Sequence, residues 1–126
     1  MNKQSCILIV DRNPHVRSLV KREMAKRGYR VQQDKDGRGL LSRIGSEDEI
    51  DFLIIDADLP DMTFDRLYAV ILRNFADIPV VIHTDELQTV PSSLPGNIAV
   101  VRKCENSIEQ LEKVVIGAVP MCDQQT

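Results

Sequence analysis

The chain has 126 residues, 43% of them hydrophobic and 28% charged, which suits one domain hiding roughly two-thirds of its extended surface. These ordinary globular values exclude a disordered chain, a collagen-like repeat and a long coiled coil. The net charge of -3 is unevenly spread: residues 1–30 carry eight Lys/Arg against Asp11 and Glu23, and residues 34–65 carry ten acids against three bases.

The first apolar run is Cys6-Ile7-Leu8-Ile9-Val10, β-branched and apolar on both faces, as a strand covered by helices on either side would be. Asn13-Pro14 then reads as a helix cap followed by a first-turn proline. Val16, Leu19, Val20 and Met24 repeat at helical spacing, with Arg17, Lys21, Arg22 and Lys26 on the other side. That basic side is a solvated helix face or a docking face for an acidic partner. Gly28 supplies the stop. Tyr29-Arg30-Val31-Gln32 is short and partly polar, an edge strand, and 37–45 forms a weaker helix around Leu40, Leu41 and Ile44. A second clean strand is Phe52-Leu53-Ile54-Ile55, closed by Asp56. After Pro60, the positions Phe64, Leu67, Tyr68, Ile71, Leu72 and Phe75 have helical periodicity. Pro79-Val80-Val81-Ile82-His83 is another buried strand. Pro91, Pro95 and Gly96 make any helix within 85–96 short or irregular. Ile98-Ala99-Val100-Val101 is the last strand, and Ser107-x-x-Gln110 reads as a capping box opening a final helix. Gly117 and Pro120 end that helix, so 1–118 is expected to form the domain and 119–126 a tail or the start of a linker.

Five strands alternating with helices predict an α/β three-layer sandwich, with a five-stranded parallel sheet and right-handed crossovers. Ligands of such folds bind beyond the carboxyl ends of the strands. The residues following the strands are Asp11 and Arg12, Asp56, Thr84, and Lys103. Two carboxylates, a hydroxyl and an ammonium on one rim can bind a phosphoryl group or a divalent cation. Each also has a plainer role. Asp11 can cap a helix or pair with Lys103, Asp56 can be a turn carboxylate, and Thr84 can cap the irregular segment. Lys103 can simply neutralise the rim. None of these explains why all four follow predicted strands. Pro14 stands where a glycine-rich nucleotide loop would need free amides, which disfavours a dinucleotide or ATP site.

In order, Ile7-Leu8-Ile9-Val10-Asp11, Asp56-Ala57-Asp58-Leu59-Pro60-Asp61-Met62, Ile78-Pro79-Val80-Val81-Ile82-His83-Thr84 and Val101-Arg102-Lys103 resemble the receiver domains of bacterial two-component signalling. The resemblance covers about residues 5–118. It implies the flavodoxin-like receiver fold, with strand order 2-1-3-4-5. It also implies that Asp56 accepts a phosphoryl group from a histidine kinase or phosphotransfer protein. Activity would be limited to self-phosphorylation and autodephosphorylation through Asp56. Thr84 and Lys103 would contact phosphoryl oxygens. Asp11, Asp56 and the backbone carbonyl of Asp58 would hold Mg2+. A homodimer, or an output domain in a longer protein, would read the signal.

The departures are specific. Arg12 stands where receivers usually carry a second acid that ligates Mg2+ directly, so Mg2+ is expected to bind weakly or not at all. Asp85 replaces the usual small residue after Thr84, Phe64 a usual Gly, and Cys104 a usual Pro. Val100 replaces the aromatic switch on the last strand, leaving His83 as a candidate substitute reporter or a packed strand-end residue. The rival reading is a pseudo-receiver that signals by protein contacts without phosphorylation or Mg2+. A small α/β enzyme such as a phosphatase lacks a second general acid, and a flavin module lacks its phosphate loop and stacking aromatics. With 4% aromatics and no Trp, direct nucleic-acid binding is not expected. No apolar run approaches the roughly 20 residues of a membrane span, and the amino terminus does not read as a signal peptide. Cys6, Cys104 and Cys122 show no paired spacing, consistent with reduced thiols in a cytoplasmic protein.

Overall fold

The computed structural model describes residues 4–47 and 49–118. The expected tail 119–126 lies outside them. The chain runs β1 (Cys6–Val10), α1 (Pro14–Lys26), β2 (Arg30–Asp34), α2 (Gly37–Arg43), β3 (Phe52–Asp56), α3 (Phe64–Asn74), β4 (Val80–Thr84), a single 3-10 turn (Leu87–Thr89), β5 (Ile98–Arg102) and α4 (Ser107–Ala118). All strand pairs are parallel, in the order β2-β1-β3-β4-β5. Among the described residues, no helix is long and apolar enough to cross a membrane.

Side-chain alternation splits the core into two layers. Ile7, Ile9, Phe52, Ile54, Val81 and Val101 point to one face, where Val20 and Met24 of α1 meet Leu111 and Val115 of α4. Leu8, Val10, Leu53, Ile55, Val80 and Ile82 point to the other, under Leu40 of α2 and Leu67 and Ile71 of α3. The central strands β1, β3 and β4 are buried throughout, as their unbroken apolar runs require.

Local signals set the element ends. Asn13 Oδ1 accepts the His15 amide, with Pro14 as the first helical residue, and Gly28 leaves α1 at a φ of 93°. Most boundaries shift by a residue or two from the sequence reading, α2 ending at Arg43 and β4 running Val80–Thr84, and two of the shifts have a visible cause. Tyr29 precedes the edge strand, and its buried ring joins the α1–α4 layer, so β2 begins at Arg30. Ser107 is the first helical residue of α4 rather than its cap, because the Asn106 carbonyl accepts the Gln110 amide and opens the helical ladder. The Asn106 side chain also accepts from the Gln110 side-chain amide at 3.0 Å, a bond between side chains rather than a capping box.

Between β4 and β5 the expected irregular stretch holds only the turn Leu87–Thr89, with Val90 and Leu94 packed back on the core. Its main-chain bonds are few: Thr89 to Glu86, Val90 to Leu87, and Ile98 to Pro95. Amide hydrogens across 91–96 should therefore exchange far faster than those of α1. Hydrogen exchange read by mass spectrometry checks this, and protection equal to 17–26 would contradict it.

Candidate functional site

The site forms because β1, β3 and β5 end side by side. Asp11 and Lys103 continue β1 and β5, and Asp56 is the last residue of β3. Continued alternation turns Asp11, Asp56 and Lys103 toward the same sheet face as Ile9, Ile54 and Val101. Lys103 Nζ lies 3.1 Å from Asp11 Oδ2 and 3.4 Å from Asp56 Oδ1, an ammonium between two carboxylates. Asp56 is only 2% exposed. Its Oδ1 accepts the Asp58 amide at 3.0 Å, while Oδ2 is buried with no hydrogen bond. Burial raises the Asp56 carboxyl above its usual range and the nearby Asp11 charge adds to this, against the Asp58 amide and the Lys103 ammonium.

The surrounding loops are anchored separately. Asp11 Oδ1 accepts the Asn13 amide at 2.9 Å, and Arg17 from α1 donates to the Asp11 carbonyl. The Thr84 hydroxyl is engaged with the main chain of Glu86. It accepts the Glu86 amide at 3.1 Å and lies 3.3 Å from the Glu86 carbonyl, tying β4 to the irregular loop. The Lys103 amide donates to the Thr84 carbonyl at 2.8 Å, so Thr84 touches both the loop and the end of β5.

Arg12 is where the geometry is least predictable from sequence. Its Nη2 pairs with Asp58 Oδ2 at 2.9 Å, and its Nε lies 3.9 Å from Asp56 Oδ2. The guanidinium thus bridges the loops after β1 and β3 and lines a cavity of about 330 Å³ with Asp56, Met62, Phe64, Thr84 and Asp85. Asp11, next to Arg12 in the chain, is held by Lys103 instead.

His83 pairs with Asp56 across β3 and β4. It is 1% exposed with neither ring nitrogen hydrogen-bonded, and burial followed by the Lys103 charge pushes its pKa down to about 4. The ring is therefore neutral near pH 7. Alternation sets it on the Val81 and Val101 face, whereas Val100 packs on the opposite layer. It does not occupy the place of the missing aromatic.

Asp61 was missed in the sequence because nothing local marks it. Its carboxylate accepts the Gly37 amide at 2.7 Å and the Arg38 amide at 3.0 Å, pinning the loop after Asp56 to the start of α2. A Cβ on Gly37 would lie 2.6 Å from Met62 Cε and 3.0 Å from Asp61 Oδ1, so glycine lets the Met62 and Asp61 side chains pack against the start of α2.

The chain matches the response regulator receiver domain over residues 7–115. It belongs to that family. Among curated proteins, no match is found. A response regulator receiver domain protein from Bacillus halodurans superposes with a TM-score of 0.79 at 18% identity, covering 94% of this chain and 99% of that one. Chemotaxis response regulator CheY4 of Vibrio cholerae gives a TM-score of 0.70 at 24% identity, covering 90% and 99%. The response regulator TrrA from Thermotoga maritima, solved in complex with Mg2+ and BeF, gives 0.70 at 24% identity, covering 88% and 96%. These likenesses concern the fold, and membership of the family carries a role in signal transduction.

A magnesium ion would call on the Asp11 and Asp56 carboxylates and the Asp58 carbonyl. The carboxylates are hard donors; Asp56 Oδ2 is buried without a hydrogen bond, and Asp11 Oδ2 has the Lys103 ammonium 3.1 Å away. Lys103, however, already stands between them, and Arg12 spans Asp56 and Asp58. Among the described residues, no three His, Cys, Asp or Glu groups converge to hold a metal. A divalent ion there would meet two resident cations, Lys103 and Arg12.

Three substitutions test these contacts through stability. The raised Asp56 carboxyl makes the folded state bind its proton more readily than the unfolded chain, so its ionisation costs stability as pH rises through the folded pKa. Asp56→Asn should raise the melting temperature at pH 7, with a gain on the order of 1 kcal/mol. That gain should vanish below the unfolded carboxyl range of about 4. Asp61 has the opposite sign: the Gly37 amide, then that of Arg38, lowers its carboxyl, so its stabilisation is present at neutral pH and lost as pH falls through the folded value. Asp61→Ala should lower the melting temperature at pH 7 and lose its effect in acid. Gly37→Ala should destabilise by about 1–3 kcal/mol at both pH values, through overpacking against Met62. Melting curves of the three variants across pH check all of these signs.

Proposed function

We propose that this receiver domain accepts a phosphoryl group on Asp56 from a histidine kinase or phosphotransfer protein and passes the signal on by conformational change. The observation that carries the reading is the buried Asp56 carboxylate beside Lys103, with one oxygen free of hydrogen bonds and a cavity above it. In the transfer, Asp56 Oδ2 attacks phosphorus while the phosphorus–nitrogen bond to the donor imidazole breaks, and the departing ring keeps the proton on its other nitrogen. Lys103 opposes the charge on the phosphoryl oxygens. Thr84 can then exchange its Glu86 partner for a phosphoryl oxygen, releasing the irregular loop. That coupling through β4 and β5 is the relay to a dimer partner or an output domain.

The Arg12–Asp58 bridge favours a second reading, a pseudo-receiver whose contacts carry the signal unmodified. Incubation with phosphoramidate or acetyl phosphate, followed by intact mass, separates the two. One added phosphoryl group is expected, absent in Asp56→Asn and slowed about 100-fold in Lys103→Ala. A native mass unchanged under all donor conditions would leave the pseudo-receiver.

A further inference from the structure

The inventory of charge around Asp56 is unbalanced for the reaction just described. Asp56, Asp58, Asp85 and Glu86 line the cavity, and Asp11 lies behind it. Against these stand Lys103, already shared between Asp11 and Asp56, and Arg12. Taking up a phosphoryl group adds further negative charge, so the site needs a mobile cation at its mouth.

Arg12 meets that need in position and in chemistry. Its Nε lies 3.9 Å from Asp56 Oδ2, the oxygen left free for the new bond. Its present partner Asp58 is 73% exposed, so the pair is screened by solvent and weakly held. The planar fork of an arginine matches two phosphoryl oxygens as well as it matches a carboxylate. A rotation of the side chain could trade Asp58 for those oxygens without main-chain movement.

We propose that Arg12 is the built-in cation of this site: it takes the place of a divalent ion and holds the phosphoryl oxygens on Asp56, so that acceptance needs no Mg2+. This rests on Asp56 being the acceptor. With phosphoramidate as donor, the aspartyl oxygen–phosphorus bond forms, the phosphorus–nitrogen bond breaks, and the protonated nitrogen leaves as ammonia. Charge and atoms balance without a metal.

The test uses the native domain, Arg12→Asp and Arg12→Lys, each in EDTA and in millimolar Mg2+. Labelling by phosphoramidate is read as intact mass. A separate arm, with Mg2+ alone and no donor, reads the melting temperature. The native protein is expected to label at the same rate in both media and to show no shift of melting temperature with Mg2+. Arg12→Asp should lose labelling in EDTA by about 100-fold, recover it with Mg2+, and melt higher when Mg2+ is added. Arg12→Lys, which keeps the charge but not the fork, should label in EDTA at an intermediate rate. A native protein that labels only with Mg2+ would overturn the proposal. If no protein labels, the acceptor reading fails, and the melting arm still judges Arg12. A response to Mg2+ confined to Arg12→Asp supports its place as resident cation; a response in the native protein, or in neither, overturns it.

Discussion

The Lys103 ammonium, held between Asp11 and Asp56, is the contact on which the carboxyl end of the sheet depends. Two buried carboxylates side by side repel each other and lose hydration, and neither is tolerable without a cation. Removing the ammonium would cost about 3–5 kcal/mol, because it would strand both carboxylates. The three residues are far apart in sequence. Only parallel strands ending on one edge bring them together, and the two apolar layers hold those strands in register.

Around that contact, each neighbouring loop is fixed by its own bonds. The loop after β1 is tied by the Asn13 amide on Asp11, and the loop after β3 by Asp61 on the first amides of α2. The loop after β4 is held at its start by the Thr84 hydroxyl and a single turn and at its far end by Asn97, which donates to the Phe75 and Ile78 carbonyls. Rigidity thus falls from the β3 side of the site toward the β4 side, where few main-chain bonds restrain 91–96. A signal generated at Asp56 meets least resistance in that direction.

The same edge carries groups that are poor for stability. Asp56 holds its carboxylate charge against burial, and His83 keeps two unpartnered ring nitrogens in the core. An unsatisfied buried polar group costs about 1–3 kcal/mol. Both lie where β3 and β4 pair beside Lys103, next to the cavity rather than scattered through the sheet. For Asp56, reactivity explains the cost: a carboxylate oxygen not tied up in a hydrogen bond, beside the cavity, is what a nucleophile needs. His83 has no such explanation in its contacts.

The sequence by itself determined the five strands, the four helices and the irregular stretch after Thr84. Those features rest on period, caps and breakers, which act within a few residues: the apolar run of Cys6–Val10, the Asn13-Pro14 start, the Gly28 stop, and the prolines at 91 and 95. It also marked Asp11, Asp56, Thr84 and Lys103, because strand ends in a parallel sheet share one rim. Tertiary structure alone decided which charge each one meets. Arg12 was legible as an oddity, yet its choice of Asp58 depends on how two loops lie against each other. The Asp61 anchor on α2 depends on Gly37 leaving room for the Asp61 and Met62 side chains, and no local pattern records that. The face taken by His83 was available from alternation with Val81, but its isolation from any partner was not. Periodicity reports which side of an element is apolar. Hydrogen bonds and ion pairs between loops have no period, so they are settled only when the whole chain has packed.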